Sequence, residues 1–463
     1  MARNTEIRGI NFTGDQIFKN LVLFAIPIIL SELLQNLYNT VDSLVVGNFV
    51  GKAALAAVSV CGPITNLMVG FFNGMSVGNT VVVARAFGSG DEEKTRKAIR
   101  AAFTFSVVLG VLVSALSILL APFLLSLTGC NEEIYAEAIL YLRIYLGGVM
   151  FMVIYNCGTG ILRAVGDSAG PLGILAVSSC LNIALDLFLV AGFGLGTAGV
   201  GIATIVSQGV SVLLIRKRIG KRAGTRCIDL PETFREGRAM VRSSVSIGLA
   251  AGLQNALISF SNIFVWSYIN RFPTAVTAGI GAANKIDRFV VLPPKALAMT
   301  CTTFVSQNIG ARNYGRARKG ILYVFVLAAA VTCALSAILI AFAEPLIGLF
   351  SREPEVIEAG AGMSRFLAPL YLILCIRELL AGYLRAYGRS RQPMLLSLLG
   401  MVGARQLFLA LATRRWSSVK VIYAAYPVGW AAAMLLLLIY TLCSLRRMWA
   451  ETESGARRAG SVS

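Results

Sequence analysis

The chain contains no histidine and few charged residues, and both shortages limit the catalytic and metal-binding roles that it can have. Among its 463 residues, Asp, Glu, Lys and Arg together make up 14%. Without His, triads, His-based metal binding and His proton shuttles are excluded, so any proton chemistry must use carboxylates. The 9 cysteines occur without a CxxC pair, so the sequence predicts neither a metal cluster nor a disulfide framework.

What the chain has in abundance is apolar sequence. Hydrophobic residues make up 56% of it, and the mean hydropathy is +0.73. These values predict a bundle of membrane helices. The net charge of +19 would favour nucleic acid as the partner of a soluble chain. Here the bases lie in short loops between apolar segments, where they set the orientation of the helices. We predict a polytopic membrane protein whose partner is the lipid bilayer, with no nucleic acid.

Twelve apolar segments reach the roughly 20 residues that a spanning helix needs. The predicted spans are 18–46, 53–84, 98–124, 135–161, 169–191, 197–216, 242–268, 275–305, 320–343, 360–384, 393–413 and 420–445. Lys and Arg concentrate in the even-numbered gaps, most strongly after span six, so both termini are predicted to be cytoplasmic. One loop departs from this pattern, since Arg414, Arg415 and Lys420 follow span eleven on the predicted outer side. We expect the first span to be retained, because it shows no cleavage pattern.

The two halves of the chain are copies of one unit. Placing Leu162 on Leu384 aligns LRAVGDSAGP, which ends at Pro171, with LRAYGRSRQP, which ends at Pro393. We predict an N-lobe at 1–215 with spans one to six, a cytoplasmic linker at 216–241, a C-lobe at 242–446 with spans seven to twelve, and a cytoplasmic tail at 447–463. Parallel repeats of this kind are typical of transporters that bind substrate between their halves. A duplicated scaffold without a transport role is the alternative.

The first span carries a polar face that includes an acid. Its members are Glu32, Gln35, Asn36, Tyr38, Asn39 and Asp42. A carboxylate at membrane depth is costly, so Asp42 is a candidate functional residue. The alternative is that Asp42 caps the helix or pairs with a lysine. Pro27 removes a backbone hydrogen bond inside the span and is the predicted hinge.

A second polar group lies in spans four to six of the first half. Asn182 and Asp186 share a helical face, and the second half has Ala404 and Phe408 at their places. Thr204, Asn156 and Thr159 offer further oxygen atoms. Together with Asp42, the set predicts a pocket for a proton or Na⁺, because hard cations prefer oxygen ligands. Interhelical hydrogen bonding is the alternative role.

The second half has its own embedded charges. Glu378 follows Arg377, so an ion site and an internal salt bridge both remain open. The charges of span eight, Lys285, Asp287 and Lys295, either pair with one another or line a cavity. Arg405 is expected to snorkel to the cytoplasmic interface.

These motifs resemble the multidrug and toxic-compound extrusion (MATE) family, in particular its prokaryotic DinF-like branch. The resemblance rests on LLQNLYNTVDSLVVGNFVG, on LRAVGD, on the pair Asn182 and Asp186, and on TTFVSQNIGARNYGRARKG. It implies an all-α fold with two six-helix lobes in a V, related by a pseudo-twofold repeat. It also implies export of organic, often cationic, compounds from a prokaryotic cytoplasmic membrane in exchange for inward H⁺ or Na⁺. No cofactor besides that ion is expected, and a monomer is expected to suffice.

The resemblance also assigns roles to residues. Asp42 matches the family's first-helix acid, and Asn182, Asp186 and Thr204 match its N-lobe cation site, where Na⁺ is the possible metal. Asn156 matches a cavity asparagine, and Pro27 matches the proline about which the first helix bends. The secondary candidates for cation or substrate contacts are Glu32, Gln35, Tyr38, Thr159, Glu378 and Lys285. The acid typical of helix seven in the NorM-like branch is absent.

Two other functions remain as alternatives. A flippase for lipid-linked saccharides would share the fold, and a cavity rich in Lys and Arg would favour it. A membrane-embedded enzyme is the third possibility, but the sequence shows no nucleophile elbow, metal cluster or histidine for one. We therefore predict an antiporter of small molecules and not an enzyme.

Overall fold

The computed structural model describes residues 9–14, 16–45, 49–50, 52–224 and 228–460. Side chains are described within these ranges except at 39–45, 52–55, 230, 232, 234 and 446–460. The described residues form helices and connecting turns without a β-strand, and 12 helical segments are long and apolar enough to cross a membrane. The predicted all-α class and the count of twelve spans are confirmed.

The first six spans are six helices in chain order. They are α1 (Ile17–Val45), α2 (Lys52–Gly88), α3 (Glu92–Ser126), α4 (Glu132–Ala164), α5 (Ala169–Asp186, continued by a π-helical turn at Leu187–Gly192) and α6 (Gly196–Ala223). The short helix α7 (Leu230–Arg235) follows.

The other six spans include two that are interrupted. They are α8 (Arg238–Ile269), α9 (Thr274–Gly310), α10 (Tyr314–Ala341), α12 with α13 (Pro354–Leu367 and Tyr371–Ala386), α14 with α15 (Arg391–Leu398 and Arg405–Arg415) and α16 (Val419–Gly460). A short helix, α11 (Ala343–Gly348), lies between α10 and α12. The 3₁₀ turn Ala368–Leu370 contains Pro369, which cannot donate a helical hydrogen bond, and a π-helical turn at Leu399–Ala404 precedes Arg405.

Several helices extend beyond the predicted spans into polar sequence. Helix α3 begins at Glu92 because Asp91 caps it by accepting a hydrogen bond from Lys94 N. Helix α6 continues to Ala223 and ends at Gly224, whose φ of 59° is left-handed. Hydropathy could not predict these turns, because charged residues end an apolar window but do not end a helix.

The internal repeat is visible in the hydrogen bonds. Thr80 Oγ1 donates to Gly160 O at 3.1 Å, and Thr302 Oγ1 donates to Gly382 O at 3.1 Å. The alignment that places Leu162 on Leu384 also places Thr80 on Thr302 and Gly160 on Gly382. The predicted repeat is confirmed, because the same interhelical contact recurs in each half.

The described contacts divide the chain into two units. Unit 1 contains the residues up to Asn11 and Ile26–Gly252. Within it, the first part of α8 packs on α2 through glycine, since a Cβ on Gly74 would come within 2.3 Å of Gly252 N, and one on Gly78 within 2.0 Å of Ser244 O. Small residues at such positions let two membrane helices approach closely.

Unit 2 contains Phe12–Ala25 and Leu253–Ser463. Phe12 is fully buried and makes edge-to-face contacts with Phe24 and Phe304. Its backbone N donates to Gln307 Oε1 at 3.0 Å, and its carbonyl accepts from Arg316 Nε at 2.9 Å. These contacts anchor the segment before α1 within unit 2.

An ion-pair cluster in unit 1 surrounds Asp167, in the turn between α4 and α5. The carboxylate is buried and accepts from Arg218 Nε at 2.6 Å, from Arg218 Nη2 at 2.9 Å and from Gly170 N at 2.9 Å. Arg222 Nε lies 3.4 Å from the same carboxylate. A Cβ at position 170 would come within 2.1 Å of Arg218 Nε, so a larger residue there would displace the guanidinium. The cluster ties the turn to the basic end of α6.

Replacing Asp167→Asn should destabilise the protein by about 1–3 kcal/mol, because the charged hydrogen bonds to Arg218 weaken. The measurement is the unfolding midpoint of purified protein in detergent. Asp91→Asn is the matched control, since Asp91 is an exposed helix cap and Asn caps about equally well. Equal midpoints for wild type and Asp167→Asn would show that the cluster is dispensable.

The ion pair between Asp167 and Arg218 predicts that the stability of the protein depends on pH. Burial raises the pKa of Asp167, but the hydrogen bonds and charge of Arg218, helped by Gly170 N and Arg222, outweigh burial and hold the pKa below its ordinary value of 3.8. The stabilisation is therefore complete above the ordinary pKa and is lost as the pH falls through the lower folded value. The difference between wild type and Asp167→Asn should shrink as the pH falls below about 4.

Candidate functional site

The structure brings together three of the predicted site residues inside unit 1. Asn182 lies one turn before Asp186 on α5, and Thr204 lies on the adjoining helix α6. With the Asn182 amide oriented so that both of its polar atoms are satisfied, its nitrogen donates to Asp186 Oδ2 at 2.9 Å and its oxygen accepts from Thr204 N at 3.2 Å. We call these three residues the α5–α6 cluster.

The α5–α6 cluster is withdrawn from the surface of unit 1. Asp186 is 0% exposed, Asn182 1% and Thr204 7%. An ionised carboxylate in such a place is costly unless its charge is compensated. The Asn182 amide is neutral, so its hydrogen bond orients the carboxylate but leaves the charge in place. A proton on Asp186 or a bound cation would remove that cost.

Local sequence explains the arrangement. The i, i+4 spacing places Asn182 and Asp186 on one face of α5. Immediately after Asp186 the helix widens into the π-helical turn Leu187–Gly192, a feature frequent at functional sites. Thr204 Oγ1 donates to Val200 O at 3.0 Å, so the lone pairs of this hydroxyl are left as potential ligands. The cluster thus contains a carboxylate, which can bind H⁺, and a hydroxyl oxygen of the kind that Na⁺ also accepts as a ligand.

The α1 polar face is only partly described. Glu32, Gln35 and Tyr38 are half-buried, whereas the side chain of Asp42 lies outside the described residues. Asp42 therefore stays a prediction. The described part of α1 continues through Pro27, whose carbonyl accepts from Ser31 Oγ at 2.7 Å.

Glu32 lies near a cation in unit 1. Its charge is close enough to act on Arg163 and Tyr155 of α4. This neighbouring base favours charge compensation as the role of Glu32.

The two α4 candidates differ in exposure. Asn156 is half-buried, and Thr159 is buried close to Tyr155. Their predicted roles remain open between cavity lining and interhelical contact.

At the equivalent place in unit 2 the charge is reversed. The repeat aligns Asn182, Asp186 and Thr204 with Ala404, Phe408 and Tyr426. Arg405, beside Ala404, is 1% exposed, and it donates to Ser261 Oγ at 2.7 Å and to Asn262 Oδ1 at 2.8 Å. Its guanidinium carbon lies 6.0 Å from the centre of the Tyr426 ring.

The expectation that Arg405 snorkels to the cytoplasmic interface is therefore wrong. Two polar partners on α8 hold the guanidinium inside the unit instead. Sequence reasoning missed this arrangement. The repeat did give a signal for it, since position 405 aligns with Ile183, next to Asn182.

The other charged residues singled out in unit 2 lie in different surroundings. Arg377 donates to Glu378, so the salt-bridge alternative for Glu378 is the one the structure shows, with Lys295 and Arg385 nearby. Asp287 is buried beside Tyr371. Lys285 is exposed and contacts the Phe350 ring, with 5.3 Å from Nζ to the ring centre. Lys285 is thus exposed at a ring face, whereas Asp287 is buried.

The described residues contain no group of three or more His, Cys, Asp or Glu that could hold a metal ion. Comparison with known sequences identifies the protein further. The sequence model described as MatE matches residues 27–188 and 250–408, more than half of the chain. The chain belongs to the MatE family.

Relatives and solved structures agree with this family. The probable multidrug resistance protein YoeA of Bacillus subtilis is 26% identical over 432 residues, which cover 92% of this chain and 93% of the relative. The probable multidrug resistance protein YpnP of the same organism is 29% identical over 410 residues, 88% of this chain and 90% of the relative. A MATE transporter solved in an outward-facing conformation has a TM-score of 0.87 at 22% identity, covering 96% of this chain and 99% of the other.

The MatE assignment settles the broad class of the protein. It is a multi-pass membrane transporter of the MATE multidrug efflux family and not an enzyme. The predicted family is confirmed, while its DinF-like branch stays a prediction. The solved structure shows the shared fold, and the roles of the site residues are argued below from their own geometry.

Thr204→Val should lower the affinity for the coupling cation about tenfold, since it removes one hydroxyl ligand while its backbone N still bonds Asn182. The measurement is the rise of the unfolding midpoint with added Na⁺ or H⁺. Thr332→Val is the matched control, because Thr332 is buried and its Oγ1 likewise donates to the i−4 carbonyl, Ala328 O. If added cation raises the unfolding midpoint of Thr204→Val as much as that of wild type, this hydroxyl is not a ligand of the cation.

Proposed function

We propose that the protein is an antiporter that exports organic, often cationic and lipophilic, compounds in exchange for inward H⁺ or Na⁺. The observation that carries the proposal is the fully buried Asp186 carboxylate, which accepts a hydrogen bond from the neutral Asn182 amide, whose oxygen in turn accepts from Thr204 N on α6. Occupation by H⁺ or Na⁺ would compensate this charge, and release would restore it. A buried group with two states of charge is what coupling to an ion gradient needs.

The coupling would be confined to the first half of the chain. The equivalent place in unit 2 holds the guanidinium of Arg405, which stays protonated and has Ser261 and Asn262 as acceptors. A fixed cation there leaves no place for a second exchangeable one. We therefore propose one α5–α6 coupling site in each chain, so that a monomer would contain a complete site.

The α1 helix would transmit the change of charge. Its contacts change from unit 2 to unit 1 between Ala25 and Ile26, directly before Pro27. Pro27 lacks an N–H, so the helix is weakest against bending at this turn. We propose that ion binding at Asp42 and Asp186 bends α1 there and releases substrate, with access alternating between the two sides of the membrane.

The energetics of such an exchange are sufficient. One elementary charge crossing a membrane at 100 mV is worth about 2.3 kcal/mol. A tenfold concentration ratio costs about 1.4 kcal/mol. One charge together with a modest pH gradient can therefore support roughly a hundredfold ratio of exported compound.

The flippase alternative is not favoured. The relatives are named as multidrug resistance proteins, and the α5–α6 cluster contains a carboxylate and no base. We propose the cytoplasmic membrane of a prokaryote as the location, with both termini inside, from the distribution of Lys and Arg in the loops.

Dye efflux from proteoliposomes, driven by an imposed H⁺ or Na⁺ gradient, tests the proposal. Asp42→Asn should abolish efflux, and Asp186→Asn should remove gradient dependence while dye binding persists. Asp287→Asn is the matched control, because it removes a buried carboxylate from unit 2 and should leave coupling intact. Gradient-driven efflux at the wild-type rate in Asp186→Asn would exclude the α5–α6 cluster as the coupling site.

Pro27→Ala should slow turnover several-fold without changing cation affinity, because it restores a backbone hydrogen bond at the bend. Initial efflux rates and cation-dependent unfolding midpoints separate the two effects. Pro122→Ala within α3 is the control for losing a helical proline. If both variants keep the wild-type rate, the Pro27 turn is architectural only.

A further inference from the structure

Unit 2 contains a cavity at the end where α8 joins α9. Its volume is about 410 Å³. Its walls come from the end of α8, the first four turns of α9, and the segment between α11 and the start of α12. The lining residues are Trp266, Ala278, Gly281, Ala282, Asn284, Lys285, Arg288, Phe350, Ser351 and Val356. By the distribution of bases in the loops, this end is predicted to face outside.

Two cations, Lys285 and Arg288, line the cavity from one face of α9. They are three residues apart and therefore neighbours on that face. Both are exposed, no acid is among the lining residues, and neither forms an ion pair with any described residue. The intervening acid, Asp287, is buried beside Tyr371 instead. The cavity wall therefore carries two positive charges that the described part of the chain does not neutralise.

Topology does not account for these charges. Bases that orient membrane helices concentrate on the cytoplasmic side, whereas Lys285 and Arg288 lie inside a span, in its predicted outer half. Snorkelling to the interface would place both heads in water. However, the Lys285 ammonium lies over the Phe350 ring, at the cavity wall.

The rest of the lining adds aromatic faces and neutral polar groups. Trp266 and Phe350 offer flat apolar surfaces, and Asn284 and Ser351 offer hydrogen bonds. Sites for small molecules are typically cavities of about 300–1,000 Å³ that combine aromatic surface with a few polar groups. Guanidinium groups bind carboxylates through paired hydrogen bonds and also stack on aromatic rings. The combination suits an anionic group attached to a planar ring.

We propose that this cavity binds small aromatic anions, with Lys285 and Arg288 holding the anionic group and with Trp266 and Phe350 flanking the ring. The site is separate from the α5–α6 cluster and carries the opposite charge. It therefore adds a class of ligand that the acidic cluster cannot take, and its occupancy needs no ion gradient.

Equilibrium binding to the purified full-length chain tests this site without any transport measurement. The probe is fluorescein, a planar carboxylate, followed by fluorescence anisotropy at pH 8. Rhodamine 6G has a similar ring system but positive charge and serves as the comparison. Wild type should bind fluorescein, and Lys285→Gln and Arg288→Gln should each weaken binding about tenfold or more, since each removes a charge-assisted contact.

Arg271→Gln is the matched control in the same unit. Arg271 is exposed and contacts the Tyr268 ring, at 4.8 Å from its guanidinium carbon to the ring centre, but it is not among the lining residues. It should leave fluorescein binding unchanged. Equal weakening by Arg271→Gln would reveal general charge attraction, and binding unaffected by the double variant Lys285→Gln, Arg288→Gln would overturn the proposal.

Because the measurement uses no gradient, its outcome is independent of coupling. Fluorescein binding with no gradient-driven efflux would support the cavity and reject the antiporter. Gradient-driven efflux without cavity-dependent fluorescein binding would support the antiporter and reject the cavity. Lys285 and Arg288 are exposed, so the Gln variants are expected to keep the wild-type unfolding midpoint.

Discussion

One buried carboxylate, that of Asp186, imposes an electrostatic constraint on unit 1. Asp186 lies fully buried between two membrane helices, and the amide that orients it is neutral. In a medium of low dielectric constant, such a group is stable only when its charge is compensated. In the antiport that we propose, a proton or a cation would supply this compensation at Asp186, and the same requirement would make the site responsive to an ion gradient.

The two halves show how a symmetrical scaffold acquires an asymmetrical function. The contacts from Thr80 and Thr302 are the same in each half, so the backbone plan is shared. At the place of the α5–α6 cluster, by contrast, unit 2 has Arg405 beside Ala404. In the antiport that we propose, a bound cation could leave unit 1, whereas a guanidinium cannot leave its side chain. The first half would then alternate between two states of charge, while the second half keeps a single state.

Sequence alone predicted the parts of this protein that depend on pattern. Spanning helices follow from apolar length, the repeat from a fixed shift, and the proximity of Asn182 and Asp186 from helical spacing. It could not predict where Arg405 points, because that depends on acceptors brought from α8, which is distant in the chain. Sequence alone also did not predict that the segment before α1 belongs to unit 2 or that the first part of α8 belongs to unit 1. These assignments depend on glycine contacts such as Gly74 with Gly252 and on the contacts of Phe12, which hydropathy does not register.

The distribution of charge also bears on how one transporter could handle different ligands. In the antiport that we propose, a lipophilic cation and a coupling cation would compete for the same carboxylates, so electrostatics would account for their exchange at an acidic site. An aromatic anion cannot take part in that competition and needs bases of its own. Lys285 and Arg288 supply them in unit 2, apart from the α5–α6 cluster of unit 1. Separate sites of opposite charge let each ligand bind without forcing the other site to bury an uncompensated charge.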